Sequence, residues 1–227
     1  MTSEDPRDAF LARVVPGRTF ADVGGLWGTV NEKVSVAHAL GAAEVTMIDL
    51  TPEGGELWQK FHDRLDDLGV RNCRCMSRTV TDVASVQGLR FEVVHCSGVL
   101  YHHPNPLAFL AALRVMATRH LVLTSVILPE HVSNEHGEYH LPSSGVSFLP
   151  ALSEGQRAVL GEYYRQSSGA IGAGLSTPYD YAVFDLEPWW WLPTPDALRA
   201  MCRAAGFRVR ESALFWGGNA LALLLDV

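Results

Sequence analysis

The stretch Thr19–Asp49, TFADVGGLWGTVNEKVSVAHALGAAEVTMIDL, constrains the fold more than any other part of the chain. Phe20, Ala21 and Val23 form a short apolar run that Gly24, Gly25 and Gly28 interrupt. Val30, Val34, Ala37 and Leu40 then recur at i, i+4, i+7 and i+10, the spacing of a helix that buries one stripe on a sheet. Gly41 stands where a helix end calls for a left-handed residue. Val45–Ile48 reads as a second buried strand, closed by Asp49. A strand–glycine turn–helix–strand unit of this kind brings backbone close to a ligand at the strand ends. An acid at the end of the second strand can accept both hydroxyl protons of a ribose. The unit predicts a nucleoside-bearing cofactor.

Two cofactor classes fit such a unit. A dinucleotide site would show G-x-G-x-x-G, so that a pyrophosphate can approach the helix N-terminus. Here the order is Asp22-Val23-Gly24-Gly25-Leu26-Trp27-Gly28, and the bulk of Leu26 and Trp27 leaves less room for a pyrophosphate. S-adenosylmethionine brings no phosphate. Its α-ammonium would find an acceptor in Asp22, directly or through water.

The regular rhythm continues to residue 128. A short N-terminal helix is expected over residues 4–15, as a cover beside the site, with Phe10, Leu11 and Val14 inward. Leu57, Trp58, Phe61, Leu65 and Leu68 mark a strong amphipathic helix, and residues 70–77 read as a third strand. Asp82 then either meets an adenine amino group or caps the turn that begins at Val83. Phe91–Cys96 is a fourth, buried strand. Ligands of open α/β sheets gather outside the carboxyl ends of strands, so Ser97, Gly98, Tyr101, His102 and His103 fall at the mouth of the site. A helix follows Pro104-Asn105-Pro106, and His120–Leu128 is a fifth strand.

Residues 129–187 break that rhythm and are expected to form a lid or substrate wall, with a decorative subdomain or a dimer surface as the alternatives. Thr194 and Pro195 then start a helix that Gly206 ends, and Phe207–Phe215 and Asn219–Leu225 close the chain as a hairpin around Gly217-Gly218.

At 227 residues, one domain spanning 1–227 is the expectation, with 1–17 as the cover. The net charge of −7, with no cluster of Lys or Arg, counts against bulk binding to nucleic acid while leaving room for a locally basic groove. Cys73, Cys75, Cys96 and Cys202 fall mostly in predicted strands and helix cores. They read as reduced thiols of a cytoplasmic protein. No run approaches membrane-spanning length.

With these motifs in place, the chain resembles class I S-adenosylmethionine-dependent methyltransferases over nearly its whole length. The segment Cys96-Ser97-Gly98-Val99-Leu100-Tyr101-His102-His103-Pro104-Asn105-Pro106-Leu107 is similar to the loop after the fourth strand in the bacterial enzymes that carboxymethylate wobble uridine in tRNA. Trp191–Leu198 and Ala205-Gly206-Phe207 resemble their late helix. The resemblance implies an α/β fold: a seven-stranded, mostly parallel Rossmann-like sheet with an antiparallel last strand, helices on both faces and a lid insertion after strand five. It implies that Asp22, Gly24, Gly25 and Gly28 hold the methionine end of S-adenosyl-L-methionine and that Asp49, with Leu50, holds the ribose. It places Asp82 and Val83 at the adenine, and Ser97, Gly98 and Tyr101 beside the sulfonium. Leu26 stands where the family's D-x-G-x-G-x-G has a glycine.

Methyl transfer is an in-line displacement, so alignment supplies much of the rate. A hydroxyl or ring-nitrogen acceptor also needs a base, and histidine suits neutral pH. His102 and His103 are the candidates, and adjacency means that one of them at most acts; the alternative for each is a hydrogen bond that fixes the loop. His131, His136, Tyr179, Trp190 and Trp191 are the expected substrate-side residues. His131, His136 and His140, with Glu130, Glu135 and Glu138 nearby, could bind a metal, but their spacings of five and four match no firm motif; a solvated loop is the expected reading and no metal is assigned. Three functions follow in order: O-methylation of a small molecule, modification of an RNA nucleoside, and a noncatalytic methyltransferase-like partner, with a homodimer left open.

Overall fold

The computed structural model describes residues 5–168, 175 and 188–227. After helix α1 (Pro6–Val14) the chain runs β1 (Thr19–Val23), α2 (Val34–Ala39), β2 (Glu44–Asp49), α3 (Glu56–Asp67), β3 (Cys73–Ser77), β4 (Phe91–Ser97), α4 (Pro106–Met116) and β5 (Ala117–Val126). Four short strands follow, β6 (His131–Asn134), β7 (Gly137–His140), β8 (Val146–Phe148) and β9 (Trp191–Pro193), with α5 (Glu154–Ser168) between the last two. Helix α6 (Pro195–Ala204) and strands β10 (Arg208–Phe215) and β11 (Ala220–Asp226) complete the chain.

The central sheet has the order β10-β11-β5-β4-β1-β2-β3. Its first five strands in sequence are parallel, and β11 pairs antiparallel to both β5 and β10. This is the expected sheet. Alternation along each strand sends side chains to two separate cores. Phe20, Met47, Val93 and Val122 meet α1, α2 and α3 on one face. Ala21, Ile48, Val94 and Leu123 meet α4 and α6 on the other. Burial on both faces explains why β4, β5 and β11 are nearly continuous apolar runs.

The helix caps follow the sequence closely. Asn105 Oδ1 accepts from Ala108 N at 3.2 Å, and Thr194 Oγ1 from Ala197 N at 3.2 Å, each ahead of a proline in the first turn. Ser153 and Gln156 form a reciprocal capping box at the start of α5.

One boundary differs. The helix expected from Val30 begins only at Val34; Thr29–Asn31 is a single 3₁₀ turn and Val30 is 77% exposed. The cause is Glu32, whose buried carboxylate accepts from both the amide and the hydroxyl of Ser35 and so fixes the helix start there. Among the described residues, no helix is long and apolar enough to cross a membrane.

Candidate functional site

Helices leave β1 toward one face of the sheet and β4 toward the other, which opens a crevice beyond the carboxyl ends of these two neighbouring strands. Two left-handed glycines line it, Gly24 with φ +78° and Gly98 with φ +77°. A Cβ on Gly24 would collide with Val99 Cγ2, so the loops after β1 and β4 touch only because this residue is glycine. A Cβ on Gly25 would lie 2.7 Å from both Asp22 Oδ2 and Met47 Cε, so a larger residue there would have to displace one or both side chains. Gly28 meets no such limit, since its nearest neighbour would be Asn31 Cβ at 3.6 Å.

Leu26 does not block this crevice. Its side chain is fully buried in the core beneath β1 and β2, the cluster that holds Val34, Met47, Trp58 and Phe61. Its backbone N–H donates to Asp49 Oδ2 at 3.2 Å. The residue that breaks the glycine pattern therefore serves the packing, while its amide joins the strand-end acid. Trp27 is 82% exposed and stands clear of the loop.

The two acids differ in role. Asp49 Oδ1 accepts from the amide and hydroxyl of Thr51 at 2.9 and 2.7 Å, and the side chain is buried at the end of β2. Leu50, which follows Asp49, and Val83, in the turn before residues 84–86, each keep about half of their surface in solvent. Asp22 lies on the same face of the sheet as Asp49, that of Phe20 and Met47. There it is 1% exposed, accepts from Lys33 N at 2.8 Å, and lies 2.7 Å from His95 Nδ1. Both Asp22 carboxylate oxygens thus have partners within the chain. Asp22 holds the loop. Asp82 caps the turn at 84–86 by accepting from Ser85 N at 2.9 Å, the second of its two expected roles.

The loop after β4 carries the remaining candidates. Ser97 Oγ accepts from Arg7 Nη1 of α1 at 3.1 Å, which ties α1 to the end of β4. Tyr101 is buried, and its hydroxyl lies 3.6 Å from the Cβ position of Gly98. Burial pushes that hydroxyl's pKa up and keeps it a donor. His102 packs against Tyr101 at 4.4 Å between ring centroids and edge-on to Trp189 at 6.4 Å. His103 points the other way. Its ring stacks on Phe109 of α4 at 5.1 Å, and Nδ1–H donates to Asn105 O at 2.9 Å. Burial lowers its pKa, chiefly by desolvation, and it fixes the loop rather than facing the crevice.

The insertion is only partly a wall for this loop. Val132 and Tyr139 face inward to a core with Tyr101, Leu149, Tyr164 and Trp189. His131 and His136, expected on the substrate side, are exposed: His131 lies on the opposite face of the β6–β7 hairpin and His136 in its turn. Trp190 is buried, with its N–H donating to Tyr101 O at 2.8 Å, and Trp191 Nε1 donates to Pro104 O at 3.0 Å. Both tie the insertion to the β4 loop. Tyr179 lies outside the described residues. His95 was not legible as a site residue, since a histidine inside an apolar run carries no sequence signal for its partner.

No protein-family model matches the sequence, and no curated protein matches it. Solved structures do. Magnesium protoporphyrin IX methyltransferase from Synechocystis PCC 6803, with bound SAH, aligns with a TM-score of 0.59 and 15% identity over 97% of this chain and 81% of that one. The 1,6-didemethyltoxoflavin-N1-methyltransferase of Burkholderia thailandensis, with its substrate and S-adenosylhomocysteine, gives 0.57 and 15% over 97% and 76%. The ribosomal protein L11 methylase of Lactobacillus delbrueckii subsp. bulgaricus gives 0.53 and 12% over 96% and 75%. The chain shares the fold of these methyltransferases.

Proposed function

We propose that this protein is an S-adenosylmethionine-dependent methyltransferase acting on a small molecule. One observation carries the reading: the glycine loops at Gly24 and Gly98 and the carboxylate of Asp49 converge beyond the ends of β1, β2 and β4. In this reading Asp49 receives the ribose hydroxyls, and the half-exposed Leu50 and Val83 enclose the adenine. Gly24 and Gly98 give backbone to the methionine end. Asp22 acts only by fixing the loop. The cofactor supplies an electrophilic methyl group on a sulfonium.

The acceptor side is assigned to Tyr101 and His102. A buried phenol held as a donor can orient an acceptor oxygen, and a histidine in ring contact with it could take the acceptor's proton; this supports O-methylation as the preferred chemistry. The relatives in fold divide between pigment, small heterocycle and ribosomal protein as substrates. Net charge −7 supports a small acceptor over nucleic acid. The four free cysteines, two of them buried, support a reducing, cytoplasmic setting.

A second reading has its own observation. Both strand-end carboxylates already accept bonds from the chain itself, Asp22 from Lys33 N and Asp49 from Leu26 and Thr51. A noncatalytic methyltransferase-like partner would look the same. Calorimetric titration with S-adenosylhomocysteine separates the two. Saturable binding that is lost in Asp49→Ala and weakened in Val83→Asp supports the enzyme; Val83 is exposed, so that variant keeps its fold. A folded wild type that takes up no S-adenosylhomocysteine rejects the enzyme reading and favours the partner.

A further inference from the structure

The β6–β7 hairpin carries a cluster that the proposed reaction does not use. His131 and His140 are directly paired across the strands, with Ser133 opposite Glu138 in the same ladder. Because side chains alternate with period two, His131, Ser133, Glu138 and His140 share the outer face, while Val132 and Tyr139 enter the core. The imidazoles of His131 and His140 stack at 4.2 Å between centroids and within 11° of parallel. Glu138 Oε2 lies 3.1 Å from His140 Nε2 and 3.9 Å from His131 Nε2. One donor atom from each of the three side chains falls within 4.8 Å of the other two.

We propose that His131, Glu138 and His140 form a surface site for a divalent transition-metal ion, with Zn²⁺ as the best match. Two imidazole nitrogens and one carboxylate oxygen are ligands that Zn²⁺ takes, with a water completing a tetrahedron. Arms of about 2.0–2.1 Å in a tetrahedron put donor atoms roughly 3.3 Å apart. The Glu138–His140 separation of 3.1 Å is close to that edge, and His131, at 3.9 Å from Glu138, must close by roughly 0.6 Å on Glu138 and approach His140 as well. Rotation about χ2 of the two rings brings their lone pairs from parallel to convergent, and that torsion is soft in histidine.

The position gives the ion a consequence. His131 is the first residue of β6 and His140 the last of β7, so an ion there would staple the open end of the hairpin. Isolated two-stranded hairpins are marginal, and the inner face of this one rests on the core that contains Tyr101 and Trp189. A second group, Glu135, His136 and Glu162, also converges, but Arg165 and Gln166 already occupy the Glu162 carboxylate.

The test is calorimetric titration of chelator-treated full-length protein with ZnCl₂, beside His131→Ala, His140→Ala and His136→Ala. The expected result is one saturable site whose affinity falls by about tenfold or more in His131→Ala and in His140→Ala, at least the loss known from outer-shell changes. It should be unchanged in His136→Ala. A wild type without saturable binding, or equal affinity in His131→Ala and His140→Ala, overturns the proposal. The latter outcome would point to Cys73 and Cys75 or to another histidine. All three substituted residues are exposed, so folded variants are expected, and matching thermal midpoints of the metal-free proteins check that. With Cu²⁺ as the probe, an electron paramagnetic resonance spectrum showing two nitrogen ligands in the wild type and one in His140→Ala supports the site. Identical spectra overturn it.

Discussion

His95 Nδ1 lies 2.7 Å from Asp22 Oδ1, and neither side chain has more than 3% of its surface in solvent. They are register partners on the adjacent parallel strands β4 and β1. The pair explains how an acid survives one residue short of the strand end beneath an apolar sheet face. Removal of one partner from such a pair costs far more than the pair itself contributes. His95→Phe is expected to lower unfolding free energy by about 3 kcal/mol. His95→Asn, whose amide can donate near the position of Nδ1, should recover part of that loss. Urea denaturation of the three proteins checks it; equal midpoints would show that Lys33 N alone satisfies Asp22.

Gly24 gives a second, purely steric prediction. Its φ of +78° costs an alanine about 1–2 kcal/mol, and the added methyl would strike Val99 as well. Gly24→Ala should therefore destabilise by more than the backbone term alone. Gly24→Ala/Val99→Ala should regain the steric part and leave the backbone part. A thermal-melt cycle of the four proteins measures the coupling, and strict additivity would mean that the loops do not press on each other.

These residues show which parts of the molecule were legible in advance. The strand–glycine–strand unit, the late hairpin around Gly217-Gly218, and the helix start at Thr194 follow from local rules of burial and capping, and the structure has them. The start of α2 was not legible, because Val30 continues the apolar period as well as Val34 does. Only the Glu32–Ser35 bond decides between them. Leu26 misled for a related reason: a side chain at a glycine position says nothing about its direction, and here it turns into the core. Asp22 was placed in the crevice by its position in the motif, yet its partner His95 lies 73 residues away. The hairpin with His131 and His140 is two strands of four residues, too short for alternation to stand out.

His103 links stability to pH. Burial lowers its pKa from the ordinary 6.5, with Asn105 and Asp82 opposing in part. The unfolded chain therefore binds more protons than the folded one as pH falls through about 6.5, and stability is lost on acidification from there. His120, also lowered by burial, adds to the same slope. Urea midpoints between pH 7.5 and 5.5 should fall in the wild type and fall less in His103→Phe, which keeps the stack on Phe109. An identical slope in the variant would show that His103 protonates freely in the folded state.

The cover helix α1 is held by charges rather than by packing alone, and this makes its closure testable. Lys33 Nζ lies 2.9 Å from Asp5 Oδ2 and 2.5 Å from Asp8 Oδ1, with only 5% of the lysine side chain exposed. Arg7 meets Asp5 at 2.6 Å, reaches Ser97 at 3.1 Å, and sits 4.6 Å over the Phe215 ring. Burial works against the Asp5 charge, yet the bonds from Arg7 and Lys33 outweigh it and hold the carboxyl well below its usual range. The stabilisation by Asp5 is thus complete above the ordinary carboxylate pKa of about 3.9, begins to decline as pH falls below it, and is gone only below the folded carboxyl's much lower pKa. Arg7→Met removes three partners at once and should speed amide exchange across residues 6–14 by about tenfold or more, since 1.4 kcal/mol is a factor of ten. Lys33→Met should do less, because Arg7 still pairs with Asp5. In the wild type the same amides should loosen selectively as pH drops toward 3, and Asp5→Asn should remove that pH dependence. Exchange in residues 6–14 that follows global unfolding in every variant would mean that α1 is part of the common core and does not open on its own.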